Sequence, residues 1–113
     1  MLAASKLTIC DGVVLWPGAL DAQAQRSLIA DIFAKIEGAP FYTPTMPNSG
    51  KAFSVQETNF GALGWISDRN GYRYEPTHPV TKKPWPAIPD SLLDLWKATL
   101  GDGAPAPQCC LVN

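Results

Sequence analysis

The apolar residues of this chain fall into short blocks whose spacing changes from one end to the other. Thr8-Ile9-Cys10 and Val13-Val14-Leu15 flank an Asp11-Gly12 pair. Asp-Gly suits a two-residue turn because both central positions need positive φ, so two short strands are predicted here. The alternative is a single strand entered from a loop; Pro17-Gly18 ends the element either way. Further on, Leu28, Ile29, Ile32, Phe33 and Ile36 recur at helical spacing, while Gln25, Arg26, Asp31 and Lys35 fall elsewhere. This predicts a helix with one apolar face, opened by Asp21 as N-cap and closed by Gly38, with Pro40 forbidding continuation. The face is expected to pack into the protein's own core.

Residues 40–51 are rich in Pro, Thr, Asn, Ser and Gly and predict an irregular loop. From Ala52 to Phe60 the pattern alternates weakly, with Phe53, Val55 and Glu57 set against Ser54, Gln56 and Thr58. A strand with two rather polar faces follows, of the kind that lines a cleft. Residues 61–89 carry Gly61, Gly64 and Gly71 among Trp65, Tyr72, Tyr74 and Trp85, with prolines at 76, 79, 84, 86 and 89. Proline fixes φ and donates no ladder hydrogen bond, so a stiffened, largely non-repetitive surface segment is expected. Leu92, Leu93, Leu95, Trp96 and Leu100 predict a second helix over about 90–100, stopped by Gly101. The last six residues, Gln108 to Asn113, read as the opening of a buried strand. Two helices with three or four strands give an α+β class, too few strands to close a sheet, so the core is expected to be incomplete.

At 113 residues the chain is one domain at most, and 46% hydrophobic against 17% charged residues excludes a disordered tail. Its apolar runs are far shorter than the roughly 20 residues of a membrane span. The opening MLAASKLTIC has one lysine and no long apolar stretch, unlike a secretory signal. A soluble, cytoplasmic monomer is expected. Three cysteines are too few for a disulfide scaffold; all are expected to be reduced, with Cys10 a small buried thiol. One histidine, His78, cannot build a two-histidine, one-carboxylate metal site, and it is expected in an exposed loop. The net charge of −1 invites no nucleic acid globally, yet Arg69 to Lys83 holds four cations and one acid. A positive, tyrosine-bearing segment of this kind suits a phosphate backbone, although a solvated loop has the same composition.

The arrangement Gly64-Trp65, then Arg69-x-Gly71-Tyr72-x-Tyr74, then Lys83-Pro84-Trp85-Pro86-Ala87-Ile88-Pro89 is specific. It resembles the N-terminal part of the AlkB family of alkylated-DNA repair dioxygenases, which use Fe(II) and 2-oxoglutarate. The likeness is strongest from Phe53 to Pro89 and returns at Cys110-Leu111-Val112-Asn113. It implies helices and recognition-lid strands preceding a double-stranded β-helix, or jelly-roll, oxygenase core. Residues 1–107 would be an N-terminal extension and nucleotide-recognition lid, with the lid at about 41–89 and a helix at about 90–100; residues 108–113 would begin the core. The implied reaction is oxidative dealkylation of 1-methyladenine and 3-methylcytosine in single- or double-stranded DNA, with RNA a further substrate class.

The resemblance also implies roles. Trp65 matches the family tryptophan that packs on a flipped base, a platform that tolerates either lesion. Tyr72 and Tyr74 match substrate-contacting tyrosines, with Arg73 between them, and Phe53 and Ser54 match a lid pair. Asn113 matches the asparagine opening a 2-oxoglutarate-binding Asn-x-Tyr stretch. The tyrosine of that stretch, the His-x-Asp iron motif, the distal histidine and the paired arginines would lie beyond Asn113, so these residues alone are expected to bind neither cofactor and to be inactive. His78 is no substitute, since position 80 is Val80 rather than an acid. For Trp85, between two prolines, a core position is expected. Two readings from other classes are a non-catalytic single-stranded nucleic-acid binder and a proline-rich interaction protein displaying Pro84-Trp85-Pro86.

Overall fold

The computed structural model describes residues 5–113. In chain order they form β1 (Leu7–Cys10), β2 (Val13–Leu15), α1 (Ala22–Ile36), β3 (Thr58–Phe60), β4 (Gly64–Asp68), β5 (Gly71–Glu75), α2 (Asp90–Leu100) and β6 (Cys110–Val112). The strands make three antiparallel pairs, β1–β2, β3–β6 and β4–β5. The architecture is a mixture of helices and antiparallel strands. No helix among the described residues is long and apolar enough to cross a membrane.

The first hairpin forms as two strands, turning at Gly12 with φ of 81°. Helix α1 is capped as its sequence predicts: the Asp21 carboxylate accepts from the Ala24 N–H at 2.8 Å, satisfying one of the free amides of the first turn. Its apolar face is less covered than expected, because Leu28, Ile32 and Ile36 are half-buried while Ile29 and Phe33 stand exposed. Helix α2 packs beside α1 and ends at Gly101, whose φ of 89° suits glycine. The Trp96 indole N–H on α2 donates to the Pro105 carbonyl at 3.0 Å, folding residues 101–107, rich in Gly, Ala and Pro, back onto the helix.

The core sits between the α1 exit and the β4–β5 hairpin. Ala39, Tyr42, Ile66 and Trp85 form one buried cluster, and Phe60 and Ile88 are buried as well. Removing a side chain such as Phe60 from water contributes about 1.5–3 kcal/mol. Trp85 occupies the expected core position. Its indole N–H donates to the Glu75 carbonyl at 2.8 Å, and its ring lies where a Cβ on Gly64 would stand. The glycine before Trp65 is therefore a packing requirement.

Three expectations are corrected and a fourth is refined. Residues 61–89 are largely non-repetitive, as expected, but they also hold a regular hairpin: β4 and β5 pair over their full length, Gly64 with Glu75 through Asp68 with Gly71. The prolines begin at Pro76, so the ladder before them is uninterrupted. The strand expected over 52–60 is confined to β3; before it come isolated bridges, Thr45 with Ala52 and Tyr42 with Glu57. Its polar residues line no cleft, since Glu57, Thr58 and Asn59 are all buried. Cys10, expected to be buried, is exposed. His78 is no exposed loop residue but is 1% exposed. Its Nε2–H donates to the Pro40 carbonyl at 2.8 Å, while Nδ1 accepts from the Val80 and Thr81 N–H groups at 3.0 and 3.2 Å. The ring packs between Tyr42 and Trp85, with centroids 5.1 and 5.2 Å away.

Candidate functional site

Strand residues alternate between faces, so pairing Trp65 with Tyr74 and Ser67 with Tyr72 puts both tyrosines on the Trp65 side of the hairpin. Trp65 and Tyr72 are diagonal neighbours, with ring centroids 5.5 Å apart and planes 30° from parallel. Phe53 joins from the preceding loop, 6.3 Å from Trp65 at 51°. The result is an aromatic row, Phe53–Trp65–Tyr72, whose first two members are half-buried. Tyr72 and Tyr74 are each 59% exposed, so their hydroxyls face solvent. Tyr74 also borders a recess of about 420 Å³ shared with Leu63, Trp96 and Pro107.

Arg73 points to the opposite side. Its guanidinium grips the Asp68 carboxylate with two bonds of 2.8 Å and donates from Nε to Glu75 at 2.8 Å. These charge-assisted bonds hold the Asp68 carboxyl down at about 2, with the Asn70 N–H adding to the effect. The cation expected to meet substrate is thus occupied by two acids, Asp68 across the hairpin on β4 and Glu75 on its own strand. Arg69 is exposed and lies over Gly50, with one long contact of 3.4 Å to the Asn48 carbonyl. Ser54 is exposed beside Phe53. Asn113 is exposed one residue past Val112, the partner of Thr58 in the β3–β6 sheet.

Beneath the row lies a buried polar layer that the sequence did not single out. Thr58 donates through its hydroxyl to the Ala39 carbonyl at 2.7 Å. Asn59 accepts from the Trp65 N–H at 3.1 Å and donates to the Trp65 carbonyl at 3.0 Å. Tyr42 donates to that same carbonyl at 3.4 Å. Burial, and then the Glu57 charge, push the Tyr42 hydroxyl well above its ordinary range; burial raises the Glu57 carboxyl against the opposing Tyr42 hydroxyl. Glu57 Oε1 is buried without a hydrogen-bond partner among the described residues. The available signal was a polar run, Glu57-Thr58-Asn59, placed just before apolar Phe60.

The described residues do not make an iron site. Both ring nitrogens of the single histidine are engaged with main chain, and no group of three His, Cys, Asp or Glu among them could hold a metal ion. What the arrangement offers chemically is a row of tilted aromatic rings with two hydroxyls beside it.

Residues 12–113 match the family model of the 2OG-Fe(II) oxygenase superfamily. The alpha-ketoglutarate-dependent dioxygenase AlkB homolog of Caulobacter vibrioides is 47% identical over 112 residues, covering 99% of this chain and 50% of the relative. The alpha-ketoglutarate-dependent dioxygenase AlkB of Escherichia coli is 42% identical over 93 residues, covering 80% of this chain and 43% of the relative. Its Salmonella typhimurium counterpart is 40% identical over 94 residues, with the same coverage of 80% and 43%. The chain spans about half the length of the curated relatives it matches. It belongs to the AlkB family of the 2OG-Fe(II) oxygenases, enzymes that use Fe(II) and 2-oxoglutarate.

Proposed function

We propose that this chain is the substrate-recognition part of a dioxygenase that oxidatively dealkylates N-alkylated bases in DNA or RNA, 1-methyladenine and 3-methylcytosine among them. The observation that carries this reading is the Phe53–Trp65–Tyr72 row, held on a hairpin with its outer end open to solvent. An extruded base stacks on the Trp65 indole for about 1–3 kcal/mol, and stacking accepts either lesion because each base has a π-face. The exposed Tyr72 and Tyr74 hydroxyls take phosphate oxygens, giving affinity without adding net charge to a chain at −1. Phe53 closes the buried end of the row, and Ser54 offers a hydroxyl beside it. Arg73 serves the site by bracing the hairpin through Asp68, with Glu75 on its own strand holding the guanidinium in place.

In this reading residues 1–107 are the extension and recognition lid, with the lid at about 41–89, and residues 108–113 open the jelly-roll core. Asn113 would contribute its amide to the 2-oxoglutarate site. Iron and 2-oxoglutarate supply the oxidation, from a centre that the described residues do not form. Three free cysteines fit a reducing compartment, so the cytoplasm is the proposed location and a monomer the proposed state.

The test is a fluorescence titration of the chain with short single-stranded oligonucleotides, one carrying 3-methylcytosine and one unmodified. Binding is expected to quench tryptophan emission, to favour the methylated strand, and to weaken about 5- to 150-fold in Trp65→Ala, as the stacking energy requires. Equal and negligible binding of both strands at low salt would remove the reading. Binding that falls with salt but ignores the methyl group would favour a general single-strand binder.

A further inference from the structure

We infer that Asn59 is the positioning residue that sets the Trp65 platform, acting through the Trp65 main chain; the inference rests on the reading of Trp65 as the base-stacking residue. Asn59 is 0% exposed and sits on β3, six residues before Trp65 in sequence. Its amide meets both main-chain groups of Trp65, Oδ1 accepting the N–H at 3.1 Å and Nδ2 donating to the carbonyl at 3.0 Å. A side-chain amide thereby does what a neighbouring strand would do. It occupies the edge of β4 at the residue whose indole faces the aromatic row. The Cys109 thiol donates to the same Oδ1 at 3.4 Å, tying the carboxamide to the segment before β6 as well.

The chemistry explains why this residue is an amide. An apolar side chain of the same size would leave the Trp65 N–H without its partner and the carbonyl with only the long 3.4 Å bond from Tyr42. Aspartate supplies acceptors but no donor, and would bring charge into a layer that already holds the buried Glu57 carboxyl. A short amide with acceptor and donor side by side meets both demands at once. The peptide plane at Trp65 is then fixed on both sides, which fixes where Cβ points and so the tilt of the indole against Tyr72. On the hairpin's far side, the Arg73–Asp68 bridge holds β5 to β4. The hairpin is thus braced by charge on one side, and Trp65 is braced by Asn59 at the other edge.

The experiment is a double-mutant cycle on the full 113-residue chain, with the 3-methylcytosine oligonucleotide as probe. Asn59→Ala is expected to weaken binding about tenfold, and Asn59→Ala with Trp65→Ala to bind within about twofold of Trp65→Ala alone, since a residue acting through Trp65 has nothing left to act on. Fluorotryptophan labelling gives the structural readout. In Asn59→Ala the Trp65 19F resonance is expected to shift or broaden while the Trp85 resonance, reporting the core, stays in place. Asn59→Asp, which retains the acceptor but turns a carboxylate oxygen toward the Trp65 carbonyl, is expected to shift the Trp65 resonance and to weaken binding at least as much as Asn59→Ala. Additive losses in the cycle, or an unmoved Trp65 resonance, overturn the inference. If Asn59→Ala also disperses the Trp85 resonance, the decision passes to Asn59→Asp, judged by the same two readouts. If Trp65→Ala binds as the wild type does, the stacking reading falls, and the 19F spectrum of Asn59→Ala alone decides whether Asn59 positions the indole.

Discussion

Replacing His78 by alanine tests how the proline-bearing loop is attached to the rest of the molecule. The ring makes one bond to the Pro40 carbonyl and receives two from the Val80 and Thr81 amides, joining residues 38 apart in sequence. Each such bond is worth about 0.5–1.5 kcal/mol net, so the three together contribute roughly 1.5–4.5 kcal/mol. Alanine also removes the ring from between Tyr42 and Trp85, leaving a cavity in the core. We expect a loss of about 3–5 kcal/mol, a large share of the 5–15 kcal/mol typical of a domain. At about 4–8 °C per kcal/mol, the thermal midpoint falls by on the order of 15 °C or more. The assay is thermal and urea unfolding followed by circular dichroism. His78→Asn separates bonding from packing: its carbonyl oxygen occupies the place of Nδ1 and retains the two amide bonds, but the side chain is too short to reach Pro40. It should recover about 1–2 kcal/mol relative to alanine. An alanine variant within about 1 kcal/mol of the wild type would refute the argument, as it would mean that water satisfies these main-chain groups at no loss.

Gly64→Ala drives a methyl group into the Trp85 indole and is expected to destabilise the fold by about 1–3 kcal/mol, read as a lower urea midpoint at unchanged slope. The Asp68 carboxyl is held at about 2, below its unfolded range near 3.9, so its stabilisation is full above pH 4 and is lost as pH falls through 2. Asp68→Asn should therefore differ from the wild type in melts at pH 5 and converge with it near pH 1.5; an equal gap at both values would refute the assignment. Because Arg73 is taken up by Asp68 and Glu75, Arg73→Gln is expected to leave the salt slope of oligonucleotide binding unchanged, whereas Arg69→Ala should reduce its magnitude by about 0.7. With Fe(II), 2-oxoglutarate and methylated oligonucleotide supplied, these 113 residues are expected to release no succinate, and release dependent on the polypeptide would place an iron centre within them.

What could be read from the sequence was what local spacing controls. Helix α1 follows from a 3.6-residue period and the Asp21 cap, α2 from its leucines and Gly101, and the first hairpin from Asp11-Gly12. The β4–β5 hairpin was hidden because its alternation runs against the usual one: Tyr72 and Tyr74 occupy the open face, while Arg73 lies on the side that carries buried Ile66. A hairpin that displays aromatics does not score as a half-buried strand, and the prolines after it dominate the composition. The burial of His78 is invisible to local sequence for a different reason. Its acceptor is a carbonyl at Pro40, and no window along the chain contains both residues. The polar run Glu57-Thr58-Asn59 was the one anomaly that carried information about the site's support. Polar residues on both faces of a short strand must be either solvated or bonded within the protein, and buried neighbours leave only the second choice. Phe60, at 0% exposed, supplies that neighbour, and the bonds of Thr58 to Ala39 and of Asn59 to Trp65 are the internal partners the argument requires.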